Sequence, residues 1–137
     1  MNIYIMDASV ILTSLFEQKK TIFNQYTSFM HEVKKEKAVL HAPSFLTLEV
    51  ANGLRYASDG LQYALEVYEK FSLLPIRFFS FSQIHVQDII RLAIQNKSTV
   101  YDTSYHFLAQ LLGGIFITCD KEYYKKAHHM GDIRLLE

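Results

Sequence analysis

Ile3-Tyr4-Ile5-Met6-Asp7 is a short apolar run that ends on a carboxylate, and Ile115-Phe116-Ile117-Thr118-Cys119-Asp120 repeats that grammar near the other end of the chain. The first run leaves no room for a helix before Ala8-Ser9. Both runs read as strands buried on two faces. An acid closing such a strand displaces an apolar residue from the core and needs partners. In open α/β sheets the C-terminal end of the strands is also where ligands bind, so Asp7 reads as a functional residue. Ser9 then opens a helix carrying Val10, Ile11, Leu12, Leu15 and Phe16.

Working outward, helical and strand patterns alternate. Residues 21–35 space Ile22, Phe23, Tyr26, Phe29, Met30 and Val33 as one helical face. Residues 38–41 read as a strand that Ala42-Pro43 stops, because proline cannot continue a central ladder. Ser44 caps a helix that reaches Ala57, and Ser58-Asp59-Gly60 breaks the chain. Residues 61–74 form an aromatic-rich helix, read as a packing element rather than a base-stacking one, and residues 76–80 a strand. Residues 82–95 form an amphipathic helix on Ile84, Val86, Ile89, Ile90, Leu92 and Ile94, with Asp88 and Arg91 as an exposed pair. Ser98 and Thr99 cap a helix whose apolar face is Tyr101, Tyr105, Leu108, Ala109 and Leu112, with Asp102 in its first turn. After Gly113-Gly114 and the second acid-ended run, residues 121–129 read as helical and 132–136 as a last edge strand. This alternation implies an α/β fold: a parallel sheet of about five strands between two helical layers, formed by one domain over 1–137. Right-handed crossovers keep the strand C-termini on one side.

Composition bounds the function. Half of the 137 residues are hydrophobic, which argues against disorder. A lone cysteine, Cys119, excludes an internal disulfide and cysteine-rich zinc sites. With no basic leader and no apolar run of about 18 residues, the chain reads as a soluble, cytoplasmic protein without a membrane partner. Lys and Arg total 14, as do Asp and Glu. If four acids gather in one cleft, the remaining surface turns net basic, which permits a phosphate partner without requiring one. The lysine clusters at 19–20, 34–35 and 125–126 read as solvated helix ends.

Asp7 and Asp120 end strands, while Glu49 and Asp102 lie early in helices, so the topology can bring all four to one edge of the sheet. Two bare carboxylates about 5 Å apart repel by roughly 3 kcal/mol at an effective dielectric near 20. Such a group calls for a cation, and oxygen ligands without cysteine point to Mg²⁺ or Mn²⁺. A carboxylate-held ion with open positions suits phosphodiester hydrolysis. Thr118 shares a strand face with Asp120, and Asn52 shares a helix face with Glu49, so both are candidates to hold water, phosphate or a carboxylate. No histidine pairs with these acids at ligand spacing, and His128-His129 read as surface residues. There is no Walker lysine motif and no G-x-S-x-G elbow.

Four motifs appear in order: IYIMDASVIL from Ile3, P-x-x-x-x-x-E-V-x-N-x-L from Pro43 to Leu54, Y-D-x-x-Y-x-x-L-A from Tyr101 to Ala109, and T-x-D from Thr118 to Asp120. Together they resemble the PIN-domain family, in particular VapC-like toxins of type II toxin–antitoxin systems. The resemblance implies a five-stranded parallel sheet whose first and fourth strands are neighbours. It implies that Asp7, Glu49, Asp102 and Asp120 are the catalytic, metal-binding acids of a Mg²⁺- or Mn²⁺-dependent ribonuclease. Asn52, Thr118 and Ser9 would then be substrate-contacting or supporting residues. It further implies an RNA substrate, a small antitoxin lying across the cleft, and a homodimer. One departure is Lys121 directly after Asp120, with no acid before Glu122, which leaves the number of bound ions open. Arg55, on the Glu49 helix, is placed to meet phosphate or antitoxin, or simply solvent.

Other readings stay open at this point. A PIN nuclease can act in RNA processing without an antitoxin, and a PIN fold can serve as an inactive binding module. A phosphate-receiver domain is also α/β, but the adjacent acid pair it requires near the N-terminus is missing.

Overall fold

The computed structural model describes residues 1–57 and 59–137. Five strands, β1 (Asn2–Met6), β2 (Ala38–Pro43), β3 (Ile76–Phe79), β4 (Ile115–Thr118) and β5 (Ile133–Leu135), form one all-parallel sheet in the order β3-β2-β1-β4-β5. Between them run α1 (Ala8–Leu15), α2 (Lys20–Lys34), α3 (Leu46–Ala57), α4 (Leu61–Ser72), α5 (Gln83–Asn96), α6 (Val100–Leu112) and α7 (Lys121–Ala127). The chain moves outward from β1 to β3, then jumps back to place β4 on the other side of β1. Right-handed crossovers in opposite directions put α1–α4 and α5–α7 on opposite faces. The three-layer α/β/α expectation holds, and β1 and β4 flank the point where the strand order reverses.

The core is built where period-2 strands meet period-3.6 helices. Ile5, Met6, Leu40, Phe116 and Ile117 from the sheet are buried against Val10, Ile11, Leu46, Val50 and Leu108 from the helices. In the β1–β4 register Ile5 pairs with Phe116 and Met6 with Ile117, so the next step sets Asp7 beside Thr118. The two strands start in very close contact. A Cβ on the buried Gly114 would lie 2.5 Å from the Ile3 carbonyl oxygen, so only glycine fits there. Gly113, at φ 72°, ends α6 in the left-handed conformation.

Several local expectations are corrected. Asp7, not Ser9, is the N-cap of α1. Pro43 lies inside β2 and pairs with Phe79. It stands beyond His41, the last β2 residue paired with β1, so its missing N–H removes no bond from the β1 ladder. Ser44 sits in a turn, its N–H donating to the Phe79 carbonyl, and α3 starts two residues later. The chain break expected at 58–60 falls partly on Ser58, outside the described residues. Only Ile89, Ala93 and Asn96 of α5 are buried, while Ile84 and Ile94 are 71% and 73% exposed. The apolar residues of α5 spread over more than the one stripe that meets its neighbours. Tyr101 is likewise exposed, although Tyr105, Leu108 and Ala109 on the same helix are buried. Helix α7 stops at Ala127, and His128–Met130 form a 3₁₀ turn. Among the described residues, no helix is long and apolar enough to cross a membrane.

Gly114→Ala should destabilise the fold by about 1–3 kcal/mol, because the added methyl meets backbone that has no rotamer to yield. Urea unfolding measures this; wild-type stability in the variant would show that the strands can separate there freely.

Candidate active site

Both acid-ended runs turn directly from strand into helix, and in each the acid caps the helix that follows. Asp7 Oδ1 accepts from the Val10 N–H at 3.2 Å, and Asp120 Oδ1 accepts from the Tyr123 N–H at 3.0 Å. Capping accounts for an acid at these positions but not for its burial. Asp7 is only 6% exposed. Its Oδ1 also accepts from the Ser9 hydroxyl and its Oδ2 from the Thr118 hydroxyl. Thr118 Oγ1 accepts in turn from the Asp120 N–H at 3.0 Å, and Ser9 Oγ from the Cys119 N–H at 3.1 Å. Ser9 and Thr118 thus tie the ends of β1 and β4 together through one carboxylate.

Glu49 and Asp102 come to this edge on the first turns of α3 and α6, both partly buried. Glu49 Oε1 accepts from the hydroxyl of Tyr105, a buried residue one turn beyond Asp102. The Asp102 N–H donates to Thr99 Oγ1 at 3.0 Å, so Thr99 caps α6 as expected and Ser98 does not. Ser98 bonds the Thr103 hydroxyl instead.

Asp102 is the electrostatic centre of the group. Its charge acts on both Asp7 and Glu49, and it is itself acted on by Asp120. Burial raises the Asp7 carboxyl to about 6; the hydrogen bonds from Ser9, Thr118 and Val10 oppose this, and Asp102 adds to it. Burial also raises Glu49 and Asp102, with Asp102 pushing on Glu49 and Asp120 on Asp102. The nearest relief at Asp102 is the Thr99 hydroxyl, then the ammonium of Lys126.

The four acids share one edge and one field, yet they do not close a cage. Among the described residues, no three His, Cys, Asp or Glu side chains are grouped so as to hold a metal ion by themselves. The donor set still fits a hard, hydrated cation. The side chains are carboxylates and hydroxyls, their negative charge is incompletely compensated, and Mg²⁺ characteristically keeps several waters beside one or two carboxylates.

Of the remaining candidates, Asn52 is exposed and makes no side-chain hydrogen bond among the described residues, so it does not hold Glu49. Lys121 turns to Glu137, 3.5 Å away, and Arg55 lies over the Tyr56 ring at 5.2 Å. Three polar residues at this edge escape a sequence reading. Tyr105 passes for a core aromatic, although a buried phenol needs a partner and so carries a signal. His106 and Tyr123 meet only through tertiary packing.

The sheet order, the helical layers and the acids at its C-terminal edge define an α/β/α domain of the PIN type. No protein-family model matches the chain. Ribonuclease VapC3 of Pyrobaculum aerophilum is 32% identical to it over 95 residues, covering 64% of this chain and 70% of that protein. The fold is shared with VapBC2 of Rickettsia felis, solved bound to a DNA fragment from the promoter. There the TM-score is 0.70 at 11% identity, over 98% of this chain and 99% of that one. It is also shared with DNA-bound VapBC of Salmonella typhimurium, with a TM-score of 0.67 at 17% identity over 98% and 97% of the two chains. The chain belongs to the VapC ribonuclease family.

A rise of the Asp7 carboxyl from 3.8 to about 6 means that ionising it costs about 3 kcal/mol more in the folded than in the unfolded protein. The folded state binds that proton more tightly, so the penalty is absent below about pH 4 and complete above about pH 6. In chelator at pH 7, Asp7→Asn should therefore melt a few degrees above wild type, and the gain should fade as the pH falls from about 6 to about 4. Thermal melts across this range check it; a variant less stable at pH 7 would mean that the hydrogen bonds to Asp7 outweigh its desolvation.

Proposed function

We propose that this chain is a metal-dependent endoribonuclease, the toxin of a toxin–antitoxin pair, formed by a single domain over 1–137 and acting in the cytoplasm. The observation that carries the reading is the group of Asp7, Glu49, Asp102 and Asp120 at one sheet edge, with burial raising the first three and Asp102 acting on Asp7 and Glu49. In this reading these four acids hold Mg²⁺ or Mn²⁺. A bound ion supplies charge neutralisation at a phosphodiester and lowers the pKa of an attacking water.

The chain's own residues prepare that site. Thr118 and Ser9 fix both oxygens of Asp7, so the carboxylate cannot rotate away when the site is empty of substrate. Tyr105 fixes one oxygen of Glu49, and Tyr123 N–H one oxygen of Asp120, which restricts the rotation of each carboxylate. Preorganised carboxylates lose little entropy on binding cation and phosphate. Thr118 serves here as a support for Asp7 and Asp120 rather than a substrate contact, and exposed Asn52 is left to meet RNA.

An antitoxin partner is favoured by an apolar surface on α3 and α4. Helices α3 and α4 enclose a 460 Å³ groove lined by Leu54, Leu61, Ala64, Leu65 and Tyr68, with Arg55 at its rim. Leu61 and Leu65 are 75% and 55% exposed, a cost in water that an apolar segment of a partner would remove. Arg55 would receive an acidic side chain of that segment. The outward Ile84, Ile90 and Ile94 of α5 support the homodimer in the same way.

Purified protein stripped of partner should cleave RNA with Mg²⁺ or Mn²⁺ and not with chelator. Asp102→Asn should lower the rate about 100-fold or more while leaving the folded structure intact, since it removes charge and almost no volume. Cleavage by the variant at the wild-type rate, or cleavage unaffected by chelator, would remove Asp102 and the cation from the reaction. Circular dichroism on the same samples separates lost chemistry from lost folding.

A further inference from the structure

His106 follows Tyr105 on α6, one turn after Asp102, and it has no exposed surface. Its Nε2 lies 2.6 Å from the Gly131 carbonyl oxygen and its Nδ1 2.9 Å from the Tyr123 hydroxyl. A carbonyl can only accept, so Nε2 carries the proton and Nδ1 accepts from Tyr123. Tyr123 belongs to α7, three residues after Asp120, and its own N–H donates to Asp120 Oδ1. The contacts therefore run unbroken from the helix of Asp102, through His106 and Tyr123, to the carboxylate of Asp120. Phe116 of β4 stiffens the link: its ring centroid is 5.8 Å from that of His106 and 5.7 Å from that of Tyr123. The other side of the site is tied differently, by Tyr105 to Glu49. Packing alone would be served by an apolar residue at 106, whereas a buried imidazole is tolerated because both nitrogens are bonded.

We propose that His106 is a positioning residue that, through Tyr123, sets the spacing of Asp102 and Asp120 and with it the cation affinity of the site. The inference rests on the reading above that these acids hold a divalent ion. His106 touches neither carboxylate itself; it acts by holding α7 against α6.

The two nitrogens can be tested separately with the full chain and Mn²⁺ as the probe, using calorimetry and the electron paramagnetic resonance of free Mn²⁺ at a temperature where every variant is folded. His106→Gln offers an amide donor near the Nε2 position and gives up the acceptor for Tyr123. His106→Asn offers an acceptor near the Nδ1 position and gives up Gly131. Tyr123→Phe removes the hydroxyl and keeps the ring. His106→Gln and Tyr123→Phe should each weaken Mn²⁺ binding about 10-fold, and His106→Asn by less than about 2-fold. The loss in His106→Gln should vanish in an Asp120→Asn background, because the link then has no carboxylate to place. If Gln and Phe variants bind Mn²⁺ as tightly as wild type, or if all three lose affinity alike, the positioning role is wrong and the cation site stands. If wild type itself shows no saturable Mn²⁺ binding, the cation reading fails and this inference goes with it. Should His106→Gln not fold, Tyr123→Phe alone decides.

Discussion

A carboxylate between two adjacent parallel strands is the constraint around which this molecule is arranged. Asp7 leaves β1 where the sheet order reverses, and Thr118 from β4 and Ser9 from α1 both donate to it. Removing a carboxylate from water is unfavourable by several kcal/mol, and three hydrogen bonds offset only part of that, as its raised affinity for a proton records. The same bonds hold β1, α1 and β4 in one place. The close approach of β4 to β1 at Gly114, and the pairing of Phe116 with Ile5, are what let Thr118 reach Asp7. Loosening that pairing would disturb fold and site together.

Helix α6 organises the other half of the edge. Asp102 stands where its charge reaches Asp7, Glu49 and Asp120, and the next turn sends Tyr105 to α3 and His106 to α7. One helix thus carries the central acid and orders the acids on both flanks. Mutual repulsion would spread such a group apart, so the polar links that hold it are structural necessities. Polar links from the protein's own side chains and backbone hold three of these carboxylates at the edge.

Buried apolar residues account for the strands and for α1, but α3, α4 and α5 keep large aliphatic side chains in water. Those helices bury an inner stripe against neighbouring helices and leave other apolar residues in water.

Much of this was legible in the residues. The two acid-ended apolar runs, the period-3.6 stripes between them and the order of four short motifs led to the parallel sheet and to Asp7, Glu49, Asp102 and Asp120 as candidates. Strand ends, helix caps and side-chain periodicity are local, so chain spacing can express them. Spacing could not tell that Asp7 rather than Ser9 would cap α1, because both residue types cap well. Nor could it tell that Pro43 would lie in β2, since its tolerance depends on how far β1 extends beside it. The exposed isoleucines of α5 were misread because periodicity shows that a helix has an apolar face, not how much of that face finds a neighbour. Asn52 looked like a partner for Glu49 by its spacing, and the hydroxyl of Tyr105 took that place from another helix. The sequence by itself determined the alternation of elements and offered the four acids as candidates. Only the tertiary structure decided which hydroxyls and ring nitrogens hold the acids, because Thr118 to Asp7, Tyr105 to Glu49 and His106 to Tyr123 are contacts between distant parts of the chain, set by packing geometry that no local pattern encodes.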